Sequence, residues 1–183
     1  MTTESWQVDP AHSAVTLTVR HMLISKVRGR FTRWSAKLQL DTADQTRSTV
    51  EVDIEAASID TGVADRDAHL RSPDFLDAEK HPTLRYRSRS VEAAGKDRLR
   101  VVGDLTIREV TRAVVLDVEL GGMAKDPWGK QRIGFTATGS LDRKDFGLTW
   151  NKALEAGGVL VADRVDVEIE LEAVQEAAAS AAA

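Results

Sequence analysis

The chain has 183 residues, 42% hydrophobic and 30% charged, an ordinary composition for one globular domain able to bury a core. A net charge of −4 argues against a nucleic-acid partner and against binding to an anionic membrane surface, since both attract basic patches. The absence of cysteine excludes a disulfide framework, a thiolate nucleophile and a zinc–cysteine site.

No apolar run reaches the length of a membrane span. The start, MTTESWQVD, has neither the basic nor the apolar region of a signal peptide, so a cytoplasmic protein is expected. Ser13 to Arg20 alternates, with Val15, Leu17 and Val19 on one face, and the same alternation puts His21 on the apolar side at the strand end. Val27 to Leu40 changes phase between Phe31 and Trp34, which predicts a bulge near Thr32 to Trp34. Ser48 to Ala57 turns Val50, Val52 and Ile54 inward and Glu51, Asp53 and Glu55 outward.

Thr61 to Pro82 breaks the alternation. Val63, Asp67 and Leu70 fall at helical spacing, and Ser72-Pro73 has the form of a second helix start. This segment is expected to be a helical lid that presses Val63, Leu70, Phe75 and Leu76 onto a barrel. His81-Pro82 ends it.

Strand patterns then return over Thr83 to Val91, Arg98 to Arg108, Val114 to Leu120, Ile133 to Leu141 and Val159 to Val174. Asp126-Pro127-Trp128-Gly129 is a type I turn signal. Eight strands, each with one apolar face and mostly short connections, favour an all-β antiparallel meander closed into a barrel, with a two-sheet sandwich as the alternative. Residues 1–174 form the barrel domain, and 175–183, rich in alanine, are expected to be a disordered tail.

An eight-stranded barrel is wide enough to be filled by side chains or to hold one small ligand. Gly29, Ala56, Ser88, Gly103, Ala137 and Gly139 fall in the inward rows, where they either leave space along the axis or mark bends and close strand contacts. If space exists its wall is apolar, built from Leu17, Val19, Phe31, Ile54, Leu84, Tyr86, Leu105, Ile107, Leu116 and Phe135. Such a tunnel suits a long hydrocarbon chain.

Eight blocks in order carry a resemblance. They are Trp6 to Ser13, His21-Met22, Val27 to Phe31, Ser58 to Gly62, Arg66 to Ser72, Asp74-Phe75, Gly103 to Ile107 and Arg143 to Leu148. Over Trp6 to Leu171 the chain resembles the YceI-like proteins, the lipocalin-like polyisoprenoid-binding family. The resemblance implies an extended eight-stranded antiparallel β-barrel with a helical insert between strands 3 and 4. It implies an isoprenoid chain, as in isoprenoid quinones or isoprenyl phosphates, held inside as ligand for sequestration or transport, with no other cofactor. Other members hold fatty-acid-like amides. Many members are periplasmic and carry a signal peptide. Leu17 stands where the family often has phenylalanine, and His81 where an aromatic residue is common. The resemblance also admits a homodimer.

The expected ligand contacts are this wall together with His21, Asp67, His69, Leu70, Phe75, Phe146 and Trp150. Asp67 and His69 have two readings. They grip a head group or act as an acid–base pair of a lipid-modifying enzyme, or Arg66 and Asp67 pair with strand charges and latch the lid; the latch is the commoner use of such residues. Tyr86 either caps a quinone ring or fills the core with its hydroxyl satisfied. Trp128 and Trp150 form a rim for transient membrane contact or simply pack. Arg85, Arg87 and Arg89 complement Glu51, Asp53 and Glu55 across strands. No two of His12, His21, His69 and His81 have metal-ligand spacing, so no metal is expected, and His12-Ser13 adjacency does not make a catalytic pair.

Overall fold

The computed structural model describes residues 3–177. Its strands are β1 (Glu4–Val8), β2 (Ala14–His21), β3 (Ser25–Phe31), β4 (Trp34–Leu40), β5 (Thr49–Glu55) and β6 (Ile59–Asp60), then β7 (Thr83–Ala93), β8 (Arg98–Ile107), β9 (Val110–Lys125), β10 (Gln131–Asp142) and β11 (Val161–Gln175). One α-helix, α1 (Ala64–Arg71), lies between β6 and β7.

The pairing reduces to eight antiparallel staves. β1 and β2 both pair with β11, β1 pairs with β4 and β2 with β3, while β3 pairs with β6 and β4 with β5. Thus β1/β2, β3/β4 and β5/β6 are single staves, each bent once. The order continues β5–β7–β8–β9–β10–β11 and closes where β11 meets β1, through Trp6↔Gln175, Gln7↔Val174 and Val8↔Ala173. Closure pairs β1 on both sides and leaves only the two-residue β6, bonded to β3 alone, as an edge.

The bends have local causes. Asp9 caps a 3₁₀ turn at Pro10–His12 by accepting the Ala11 N–H at 3.0 Å, and Pro10 supplies the fixed φ that starts it. The phase change expected near Thr32 falls where β3 ends and β4 begins. Beside it, a 3₁₀ turn at Ala56–Ser58 bends the third stave, and the Ser58 carbonyl accepts the Thr32 N–H at 3.1 Å. The Asp126–Gly129 turn forms as its residues predict, with Gly129 N–H donating to the Asp126 carbonyl at 2.9 Å.

The lid segment differs from expectation in two respects. No second helix starts at Ser72. Its N–H and hydroxyl both return to the His69 carbonyl and terminate α1, and the chain then folds back, with Leu76 N–H on the Leu70 carbonyl and Ala78 N–H on that of Arg71. Val63 is 47% exposed rather than pressed onto the barrel, because it is the non-helical cap residue before α1. Leu70, Phe75 and Leu76 do pack on the core. β11 runs to Gln175, one residue past the expected domain end, while residues 178–183 of the expected tail lie outside the described residues.

Candidate functional site

The inward rows enclose a cavity of about 470 Å³ whose wall is almost wholly apolar. Leu17, Val19, Phe31, Ile54, Leu84 and Leu105 line it, as do Ile107, Leu116 and Phe135. The inward row of β11, Val165, Val167, Ile169 and Leu171, lines it too. These four were absent from the expected contacts, although the same alternation marks them. Residues such as Leu84 and Leu116 are therefore shielded from outside solvent while still facing empty space.

The glycines do not create that space. A Cβ on Gly103 would collide with the Tyr86 ring, and one on Gly139 would lie 2.8 Å from the Val115 carbonyl oxygen and 2.9 Å from Leu116. A Cβ on Gly29 would meet Thr61 at 3.0 Å. These glycines allow close approach within the wall. Of the small residues named from sequence, Ala137 faces the cavity, whereas Ala56, Ser88 and the three glycines do not line it. Ser88 instead accepts the Val50 N–H at 2.9 Å, beside a register shift in β7.

Tyr86 lies in the wall over Gly103. Its hydroxyl reaches toward the Val101 and Val114 carbonyls at 3.4 and 3.3 Å. Burial, with a smaller contribution from the Asp104 charge, pushes the phenol up to about 12, so it stays neutral.

At one end the cavity is bounded by His21, Thr61, Arg66, His69, Leu70 and Phe75. His69 contacts Phe75 and Trp150 edge-on, with centroids 5.1 and 4.5 Å apart, and its Nε2 lies 2.8 Å from Asp74 Oδ2. The lid thus presents an aromatic group over the opening. Asp67 is buried, but it points away from the cavity. Its Oδ1 accepts the Thr61 N–H at 2.9 Å and the Thr61 hydroxyl at 2.5 Å. Arg66 donates to the Thr61 hydroxyl at 2.7 Å and carbonyl at 2.9 Å. Asp67 and Arg66 therefore meet at Thr61, the residue that joins β6 to the lid, and not at charges on the strands. Arg71 adds donations to the Ala57 and Ile59 carbonyls.

Phe146 is 2% exposed within the core cluster but does not line the cavity. Trp150 does line it, whereas Trp128, 81% exposed, sits on the β9–β10 turn at the other end of the barrel. Sequence reasoning missed Arg143. This 4%-exposed guanidinium lines the cavity and donates to the carbonyls of Leu148 and Trp150 at 2.8 Å and of Ala162 at 2.9 Å. Burial shifts its pKa down from the usual arginine value, with the Asp163 and Asp142 charges opposing that shift. Two members of the expected cross-strand stripes meet, Glu51 opposite Arg87 and Asp53 opposite Arg85, whereas Arg89 pairs with Asp104 on β8 and Glu55 with Arg33. At the far end Asp9, His12 and Glu172 gather, but Arg132 occupies the centre, 2.8 Å from Asp9 and 2.6 Å from Glu172.

Fold and cavity together define a lipocalin-like antiparallel barrel with an apolar interior and a helical lid. The sequence matches the YceI-like domain over residues 6–173, and the chain belongs to that family. A UPF0312 protein of Vibrio cholerae is 37% identical over 166 residues, covering 91% of this chain and 84% of the relative. The crystal structure of a Campylobacter jejuni YCEI protein superposes with a TM-score of 0.76 at 33% identity, covering 86% of this chain and 90% of that one. A Saccharophagus degradans polyisoprenoid binding domain, implicated in plant cell wall breakdown, shares the fold at a TM-score of 0.68 and 13% identity, covering 96% of this chain and all of that one.

Proposed function

We propose that the protein binds a long isoprenoid chain, or a comparably apolar lipid, inside the barrel, and that it sequesters or carries this ligand without transforming it. The observation that carries the reading is the cavity of about 470 Å³ with an almost wholly apolar wall. Water gains little in such a space, and an alkyl chain gains about 0.8 kcal/mol per methylene buried. A five-carbon isoprene unit then contributes about 4 kcal/mol before ordering and association costs, so each further buried unit strengthens binding and a long chain is favoured over a short one. The same wall accepts a fatty acyl chain.

Two guanidinium groups, Arg66 and Arg143, and the His69 imidazole stand at the lid end of the cavity, which supports a head group that is anionic or accepts hydrogen bonds, as an isoprenyl phosphate or a quinone does. The absence of turnover is supported by the separate engagement of the two candidate acid–base groups, Asp67 by Thr61 and His69 by Asp74.

The test is a titration of a prenylquinone and of a prenyl phosphate into delipidated protein, followed by fluorescence of Trp150 at the mouth. Saturable quenching is expected for the parent. In Ala137→Phe, which fills the cavity from β10, it should weaken at least about tenfold, a 1.4 kcal/mol loss, while the protein stays folded. Equal binding by parent and variant would place the ligand elsewhere.

A further inference from the structure

The hairpin joining β2 to β3 is built against the usual chemistry of such turns. Ile24 N–H bonds the His21 carbonyl at 3.1 Å, and the two residues between them, Met22 and Leu23, have φ of 52° and 59°. Two positive φ values make this the mirror-image turn in which Asn-Gly is favoured, because a Cβ is strained there. Here the positions hold Met and Leu. They are also exposed, Met22 by 38% and Leu23 by 67%, and the following Ile24 by 80%. Met22 N–H donates to the Leu160 carbonyl at 2.9 Å, which brings Val159, 40% exposed, to the same spot. The fold requires neither the strain nor the exposure. The residues next to the tip, His21, Val27 and Leu160, line the cavity, so this apolar tip stands at its mouth.

The β2–β3 hairpin itself carries charge of one sign only. From Pro10 through Leu40 the sequence has no Asp or Glu, although the whole chain carries −4. On the outer face of the hairpin Arg20 lies directly opposite Lys26, and Arg28 is two residues along from Lys26 on the same side. Like charges placed opposite each other destabilise a pair of strands. Among the described residues Arg30 pairs with Asp60 at 3.6 Å, whereas Arg20, Lys26 and Arg28 have no carboxylate within 4.0 Å. The first acidic residue of β11, Asp163, lies between the partners of His21 and Val19 but is paired with Arg143 and Lys144, and the next, Asp166 and Glu168, stand opposite Thr18 and Thr16.

We propose that the β2–β3 tip is a docking surface for an anionic phospholipid bilayer: Met22, Leu23, Ile24 and Val159 enter the interfacial layer, and Arg20, Lys26 and Arg28 meet the lipid phosphates. An apolar tip ringed by unpaired basic groups is the form of an interfacial anchor. A protein partner would satisfy the apolar residues equally, but three basic groups of one hairpin without a carboxylate partner favour a continuous negative surface. Docking in this pose brings the cavity mouth against the bilayer, where an apolar ligand can pass without crossing water. The proposal stands on the hairpin and does not require the cavity to be filled. Trp128 offers the contrasting case. It is just as exposed, but its turn lies by Asp126, whose carboxylate, with Asp9 and Glu172, is gathered on Arg132 at the opposite end of β11.

Co-sedimentation with vesicles tests this. Binding is expected to vesicles of phosphatidylcholine with 30 mol% phosphatidylglycerol, to weaken roughly a hundredfold in Arg20→Glu/Lys26→Glu/Arg28→Glu, and to be suppressed by salt. Met22→Asn/Leu23→Gly installs the favoured turn, so its melting temperature should rise while its vesicle binding falls at least about tenfold. Trp128→Ser should bind like the parent. No binding to the anionic vesicles at low salt would overturn the proposal. So would full retention of binding by Met22→Asn/Leu23→Gly, or binding that depends on Trp128 instead.

Discussion

Thr61 shows how much of the site rests on a single junction. Its N–H, hydroxyl and carbonyl are all engaged by Asp67 and Arg66 one helical turn later, which fixes α1 where β6 ends. Asp67→Ala strips a buried amide and hydroxyl of their acceptor and should lower stability by about 1–3 kcal/mol, visible in thermal unfolding as a Tm lower by roughly 2–4 °C per kcal/mol. Hydrogen exchange in α1 should accelerate with it. An unchanged Tm would remove the latch from this account. Asp67 and Arg66 were legible as a latch from their residue types, but their meeting point was not. A threonine at the end of a strand carries no mark that distinguishes it from any other polar edge residue. The glycines teach the opposite lesson. Gly103 was readable as either empty space or close contact, and only the position of the Tyr86 ring decides for contact. Gly103→Ala should therefore destabilise by about 1–3 kcal/mol through overpacking, measured by denaturant midpoint. A neutral or stabilising result would mean that the residue does border free space.

Among elements, the strands were readable and the lid was half readable. Period-2 alternation survives wherever one face of a strand meets an apolar interior, and it placed His21 correctly at the inner end of β2. In the lid, Ser72-Pro73 satisfies the rules for a helix start, yet the carbonyls of residues 69–72 capture the following N–H groups and turn the chain back. Local propensity lost to hydrogen bonds made across the end of α1, a competition that the sequence pattern does not display. The closing seam is likewise invisible in sequence. Only three residue pairs join β1 to β11, and the seam is reinforced by Arg132 on β10, which bonds Asp9, Asp126 and Glu172. The Arg132 guanidinium, and next His12, hold Asp9 down to about 2 against its ordinary 3.8. A depressed carboxyl pKa stabilises the fold fully above the unfolded value and loses that contribution as pH falls toward the folded one. Tm should therefore drop between pH 4 and pH 2 more steeply in the parent than in Arg132→Gln. Parallel curves would show that the cluster does not stabilise the seam.

For the whole molecule, the eight-stave meander could be anticipated because each stave advertises one apolar face. The interior volume could be anticipated as an alternative, but its origin in the barrel is a different one. Space along the axis comes from the size of the ring and from inward residues that stop short of its centre, while the small residues mostly serve the wall itself. Side-chain reach across a closed barrel depends on strand tilt and stagger, and neither is written in the alternation. Net charge is likewise silent about position. A total of −4 hides a basic hairpin with no acidic residue from Pro10 to Leu40, because a sum over the chain discards position. Native mass spectrometry of protein purified gently, with no ligand added, tests the central claim most directly. The account predicts a species heavier than the polypeptide by the mass of a lipid, lost on organic extraction and restored by an added prenylquinone. A bare polypeptide mass in repeated preparations, unchanged after the prenylquinone is added, would contradict it.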